Sequence, residues 1–272
     1  MRKFIAWNRR ASRWQRSIVA RVVPGCAPDG PTDFRKRVLP NLLKPGLRVL
    51  DVGGGKHPAI PLEIKRELGL YVVGLDVSEA ELVQAPPGAY DETLVGDVAV
   101  ARIPGHYDLV FSRAVLEHVA DPAAAIANLA RVLVPGGVMA HVMPCRNAPF
   151  AILNRLLGNR AARRVLFTIF PEKQENSGFL AYYRDCTPTR LSRTCRESGL
   201  EVVKLTPYYN SGYTSFFAPL YTIEMLRQAL MCYLRLEDFA EGFSIVTRRP
   251  IAGRERPSQQ PEDNGRSADT AV

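Results

Sequence analysis

The stretch VLDVGGGKHP, residues 49–58, sets three consecutive glycines directly after a short apolar run that ends on an aspartate. A short apolar run bounded by glycines reads as a buried strand. Glycines behind it let the main chain turn tightly and approach a ligand with no side chain in the way. The dinucleotide pattern G-x-G-x-x-G would carry a glycine three positions after Gly55, where Pro58 stands instead. Asp51, at the strand tip, repels a pyrophosphate and attracts an ammonium or a sulfonium. The expected ligand of this turn therefore brings positive charge towards the strand.

Outward from this turn, strand-like runs at 47–52, 71–76, 93–95, 108–112 and 138–143 alternate with helical patterns near 61–68, from Ser78, and at 122–133. Such alternation predicts a parallel sheet covered by helices. Ser78 followed by Glu81 reads as a capping box, Asp121-Pro122 as an N-cap with a first-turn proline, and Pro135-Gly136-Gly137 as the stop of the helix before it. The alternation then lapses through a helical stretch at 150–169 and the segment PEKQENSGFLAYYRDCTP. It resumes with a helix at 189–198 and a strand at 201–205, lapses again over 206–239, and closes with a strand at 242–247. Residues 250–272 are polar and rich in Pro, Ser and Gln, and are expected to be disordered.

Of 272 residues, 46% are hydrophobic and 23% charged, enough for one domain with its own core. Apolar runs are broken by charges well short of a membrane span, and residues 1–23 lack the uninterrupted apolar block of a secretory signal. Cys26, Cys145, Cys186, Cys195 and Cys232 form no C-x-x-C pair, which argues for free thiols and a reducing cytoplasm. The net charge of +9 is concentrated: residues 1–23 hold seven basic side chains and no acid, while the body between them and the tail is almost neutral. A neutral body, and FSRA (residues 111–114) after the fourth strand, disfavour nucleic acid as a substrate.

VLDVGGG, VVGLDVS (72–78), VGDVA (95–99), YDLVFSRAVLEHVADP (107–122) and LARVLVPGGVMAHVMP (129–144) occur in an order that resembles the class I S-adenosylmethionine-dependent methyltransferases. The group meant is the small-molecule one that includes quinone-biosynthetic enzymes. The resemblance covers roughly 32–249 and implies an α/β, Rossmann-like doubly wound sheet of about seven strands, the last antiparallel. It also implies S-adenosyl-L-methionine as cofactor, and inserts at about 144–187 and 206–239 that form a substrate cap, flanked by an amino-terminal helix and linker at 1–31.

Under that resemblance Asp51 attracts the methionyl ammonium and the N–H groups of Gly53, Gly54 and Gly55 receive the carboxylate. Asp76 accepts both ribose hydroxyls, Asp97 and the Val98 N–H meet the adenine, and Leu75, Val77 or Val98 cover it. Ser112 and Arg113 face the boundary between cofactor and acceptor. His118 is the candidate general base for a hydroxyl acceptor, against a structural role for the Glu117-His118 pair. Arg113-Ala114 occupy the neighbourhood where some relatives carry an additional acid, so no metal is expected. Tyr182, Tyr183 and Arg184 are candidate contacts for an anionic or sugar-like acceptor, or a packed loop.

The function implied is methyl transfer to a small-molecule, glycan or lipid-linked acceptor, at oxygen. The alternatives are a binding protein without turnover and a nicotinamide-dependent oxidoreductase, the latter disfavoured by Asp51 and Pro58. Phe4, Trp7, Ala11, Trp14, Ile18 and Val22 recur at helical spacing among the arginines of residues 1–23. A basic amphipathic helix of this kind fits the surface of an anionic membrane and equally a cap over the core. The location expected is cytoplasmic, with peripheral contact at the inner membrane face.

Overall fold

The computed structural model describes residues 29–169 and 180–251 and, in the amino-terminal segment, positions 7, 8, 10–12, 14, 15, 17 and 21; for 159–163 and 165–169 it describes the backbone alone. Residues 252–272 of the 250–272 tail expected to be disordered, Cys26 and most of the expected amino-terminal helix lie outside the described residues.

Seven strands form one sheet in the order β3-β2-β1-β4-β5-β7-β6. They are β1 (Arg48–Val52), β2 (Tyr71–Asp76), β3 (Glu92–Val95), β4 (Tyr107–Arg113), β5 (Leu133–Pro144), β6 (Glu201–Tyr208) and β7 (Gly242–Arg248). The first five run parallel, and β7 is antiparallel to both β5 and β6. The chain winds outward from β1 through β2 to β3, then returns to β4 on the other side of β1. The crevice at the carboxyl ends of β1 and β4 is thus the switch point, where open α/β sheets bind ligands.

Alternating side chains cover both faces, as the two-residue period of a strand requires. Leu50, Val73 and Val110 pack with Ile126 and Leu129 of α4 (Pro122–Val132) and with Leu191 and Cys195 of α6 (Pro188–Glu197). Their neighbours Val49, Val72 and Leu109 pack on the opposite face with Phe34, Leu39 and Ile60. Phe34 and Leu39 belong to α1, a helix the sequence reading missed. It starts as an α-turn (Gly30–Asp33), continues as a π segment (Phe34–Val38) and ends as a second α-turn (Leu39–Leu42). Asp33 of this helix accepts a hydrogen bond from the Tyr208 hydroxyl at 2.8 Å.

Two further helices, α2 (Leu62–Glu67) and α3 (Glu79–Val83), follow β1 and β2. The expected helix stop at Pro135-Gly136-Gly137 is corrected: α4 ends at Val132, and Leu133 is already extended and paired with Tyr107. Proline restricts the residue before it to extended conformations, so these three residues form the irregular start of β5. The long helix α5 (Pro149–Ile169) breaks at Gly158, where φ is 72°. The second insert contains α7 (Ala218–Tyr233), and β6 runs three residues further into that insert than its sequence pattern suggests.

Candidate active site

At the end of β1 the chain turns through Gly53 and Gly55, both at positive φ (69° and 46°). Gly53 N–H donates to Leu75 O at 2.6 Å, which ties the turn to β2. No side chain fits here: a Cβ on Gly53 would lie 2.3 Å from Val115 Cγ2, and one on Gly54 2.3 Å from the Tyr90 hydroxyl oxygen and 2.5 Å from Asp51 Oδ2. The glycines therefore serve close packing inside the protein as well as any approach by a ligand.

Asp51 is buried, and its Oδ2 accepts from Ala59 N–H at 3.3 Å and from the Tyr90 hydroxyl at 3.5 Å. Burial pushes its pKa up to about 6, against the opposing pull of the Arg113 guanidinium. A carboxylate so poised gains from a cation brought beside it. Tyr90 was not singled out from the sequence. Its hydroxyl also donates to Gly55 O at 3.2 Å, so one side chain clasps both the acid and the glycine turn.

Asp76 closes β2, and burial raises its pKa as well. The capping box expected after it forms only by half. Ser78 Oγ accepts from Glu81 N–H, but Glu81 reaches Lys56 at 3.3 Å, and Ser78 N–H donates to Asp76 Oδ1 at 2.9 Å. The other Asp76 oxygen lies towards Gly55, where an added Cβ would meet it at 3.1 Å. Beyond β3, Gly96 N–H donates to Asp76 O. Asp97 is exposed and its Oδ1 caps Ala99 N–H at 2.9 Å. Val77 is exposed, whereas Val98 and Leu75 are buried. Asn128 of α4, also unforeseen, donates to Val98 O (2.9 Å) and Ala101 O (2.8 Å), anchoring this turn to a helix.

On the other side of the switch point, Ser112 is buried and bonded to His141 Nδ1 at 2.7 Å. Burial lowers the His141 pKa to about 3, so the ring is neutral. Arg113 donates to His57 O at 2.7 Å, spanning from β4 to the glycine turn. Ala114 follows in the left-handed region at φ 52°, a strain of the kind that clusters at functional sites.

The segment after β4 is strapped by residues 180–184. Glu117 O accepts from Tyr182 and Tyr183 N–H (2.7 and 3.0 Å), His118 Nδ1 donates to Leu180 O (2.8 Å), and Arg184 donates to Ala120 O (3.0 Å). Tyr183 packs inside, edge-on to Phe150, while Tyr182 is exposed. Of the three acceptor candidates, Tyr182 thus presents its ring outward, and Tyr183 and Arg184 fasten the loop. Glu117 is buried with Oε2 unpartnered, and burial lifts its pKa to about 8. The 3.9 Å approach of His118 Nε2 to Glu117 Oε1 is within ion-pair range, but burial favours the neutral form of each group, so near pH 7 the contact is dipolar. Among the described residues, no cluster of three or more His, Cys, Asp or Glu could hold a metal ion.

The methyltransferase-domain family model matches residues 26–205. The chain is 34% identical over 168 residues to the ubiquinone biosynthesis O-methyltransferase of Thiobacillus denitrificans, covering 59% of this chain and 67% of the relative. It is 32% identical over 173 residues to the protein of that name from Nitrosococcus oceani, covering 61% and 68%. Among solved structures, an S-adenosylmethionine dependent methyltransferase from Mesorhizobium loti matches with a TM-score of 0.52 and 19% identity over 78% of this chain and 96% of that one. A phosphoethanolamine N-methyltransferase of Haemonchus contortus, solved with S-adenosyl-L-methionine, matches with a TM-score of 0.52 and 15% identity over 80% and 52%. At such identities the structural likeness shows a shared fold.

Proposed function

The chain belongs to the class I S-adenosylmethionine-dependent methyltransferases, and on that premise we propose that it methylates an oxygen of a small-molecule, glycan or lipid-linked acceptor. The observation that carries the choice of oxygen is its similarity, at 34% and 32% identity, to relatives named as O-methyltransferases. S-adenosylmethionine supplies a methyl group that is already electrophilic, which leaves the protein to align the acceptor and exclude water.

The donor set at the β1–β2 end fits this cofactor. In our reading Asp51, destabilised as an anion by burial, receives the ammonium, and the N–H groups of the 53–55 turn receive the carboxylate. Asp76 takes the ribose hydroxyls, Asp97 and the Val98 N–H take the adenine, and Leu75, Val77 and Val98 give it apolar cover. Ser112 and Arg113 mark the boundary with the acceptor.

A hydroxyl acceptor must lose a proton, and in our reading His118 takes it. The Leu180 carbonyl can only accept, so His118 Nδ1 carries the hydrogen and Nε2 the lone pair. Burial lowers its pKa and keeps the ring neutral, hence basic, at pH 7. The acceptor would enter past Tyr182 and the strapped segment at 180–184.

The test is transfer of label from methyl-labelled S-adenosylmethionine to a panel of hydroxylated aromatic, lipid-linked and glycan acceptors. His118→Ala should lower turnover by about 10²-fold or more with cofactor affinity near normal. The wild-type rate should fall as pH drops through the histidine pKa, below 6.5. Label found only on nitrogen, or bound cofactor with no transfer to any acceptor, would reject the proposal.

A further inference from the structure

The helix α7 carries apolar side chains on its outward face as well as its inward one. Its inward face carries Tyr221, Met225 and Gln228, and Glu224 and Arg227 are only partly exposed. The outward stripe is Leu220, Ile223, Leu226, Leu230 and Tyr233, at three- and four-residue spacing, with Ile223 66%, Leu226 67% and Tyr233 83% exposed. Polar contacts add to the buried Ala218, Tyr221 and Met225 in holding the inner side: Arg227 bonds both carboxylate oxygens of Glu224 at 3.0 Å and also pairs with Glu241. A helix already fixed on its inner side leaves its outward apolar stripe for something else to cover.

The described part of the amino-terminal segment repeats the pattern. Asn8 and Ser12 are buried. Asn8 Oδ1 accepts from Ala218 N–H at 2.9 Å, Ser12 donates to Ser215 O at 3.2 Å, and Gln15 donates to Thr222 at 2.9 Å. Trp7 and Trp14 point away, 66% and 67% exposed. Polar side chains thus dock this segment on the start of α7 and the residues before it, while its two tryptophans are exposed. α5 starts beside the residues ahead of α7, because Phe150 stacks on Tyr213 at 4.3 Å, and Leu153 and Leu156 of that helix are exposed.

Charge decides what covers this surface. Residues 1–23 carry seven basic side chains and no acid, and residues 149–169 carry four arginines and no acid. A second copy packed on the same face about a two-fold axis would set these like charges against each other. Among the described residues no helix is long and apolar enough to cross a membrane. Apolar side chains with tryptophans, on a segment whose sequence holds seven basic residues and no acid, match the interface of an anionic bilayer.

We propose that the α7 stripe with Trp7 and Trp14 is a peripheral docking face for anionic lipid. Residues 1–23 and 218–233 lie outside the 26–205 match to the family model. Tyr213, ahead of α7, stacks on Phe150, which in turn meets Tyr183 of the strap over Glu117. The face does not depend on the acceptor's identity, and its test involves no methyl transfer.

The chain's only two tryptophans are Trp7 and Trp14, so intrinsic fluorescence reports on this face directly. Full-length protein mixed with phosphatidylcholine vesicles containing phosphatidylglycerol should show a blue-shifted emission. It should also co-sediment at least tenfold more than with phosphatidylcholine alone, and 0.5 M salt should release part of it. Ile223→Ser with Leu226→Ser should lower co-sedimentation at least tenfold while S-adenosylmethionine affinity stays unchanged. Wild-type emission that does not shift with anionic vesicles overturns the proposal whether or not the variant folds. So does a wild-type dimer in lipid-free solution that the double variant makes monomeric, since the stripe would then be covered by a second copy.

Discussion

At the β1–β2 end of the sheet, the groups facing the crevice sit within a few residues of a strand terminus, and their contacts are mostly backbone to carboxylate. Asp51 takes Ala59 N–H and Asp76 takes Ser78 N–H. Over β4 and β5 the site is assembled from segments remote in sequence: His118 reaches Leu180, Arg184 reaches Ala120, and Phe150 stacks on Tyr213. The first kind of construction tolerates little change because each atom is placed by a turn of fixed geometry. The second tolerates replacement of whole loops, which under the proposed function suits an acceptor end that differs from one acceptor to another, the β1–β2 end being the cofactor end.

The sharpest attack on this contrast is Gly53→Ala. The added Cβ meets Val115 at 2.3 Å and takes a left-handed φ of 69°, a conformation that alone costs an L-residue about 1–2 kcal/mol. S-adenosylmethionine binding should fall by about 100-fold or more and the melting temperature should drop, as seen by calorimetry and thermal denaturation. Combining Gly53→Ala with Val115→Ala should recover stability in part, because it removes the clash and leaves the backbone strain. Full cofactor affinity in the single variant would show that the cofactor end is as tolerant as the acceptor end.

Next in size is Asp76→Ala, with the S-adenosylmethionine dissociation constant measured by calorimetry. Losing two hydrogen bonds to a charged acceptor should weaken binding by at least ~2 kcal/mol, about 30-fold. Asp76→Asn keeps acceptor capacity without charge and should fall between wild type and alanine. An unchanged constant would remove Asp76 from the site.

The same contrast accounts for what could be read from the sequence. Asp51, Asp76 and the glycine turn were legible because strand ends and glycines leave local signals, and the winding of the first five strands follows from their alternation with helices. Tyr90 and Asn128 left none. One is a tyrosine in the turn before β3 and the other an asparagine on a helix, and each anchors a turn through partners 27 or more residues away. Residues 180–184 stood out for their aromatic and basic content, and what the sequence could not show is that the main chain of Tyr182 and Tyr183 fastens to Glu117. The outward apolar stripe of α7 was equally hidden. Its composition reads as a mixed apolar helix, and only the packing shows which side faces in.

The smallest effect expected is also the most specific to the acceptor end, and it concerns Glu117. Burial lifts this carboxyl from 4.5 to about 8, so between those values the native state holds a proton that the unfolded state has lost. Stability therefore falls as pH rises through that window and is fully restored below it. Glutamine mimics the neutral acid and cannot ionise. Glu117→Gln should match wild type in melting temperature near pH 5 and exceed it by about 3 °C or more at pH 8.5. The other shifted groups do not imitate this result. Asp51 changes over a lower window, ending at about 6, and His141 responds only as pH falls below 6.5 towards about 3. Glu241, raised to about 8 beside Glu224, is present in both proteins and cancels in the difference. A gap between variant and wild type that stays constant with pH would mean that Glu117 ionises normally. The acceptor end would then be as open to solvent as the exposed turn at Asp97, and its difference from the cofactor end would lie in loop assembly alone.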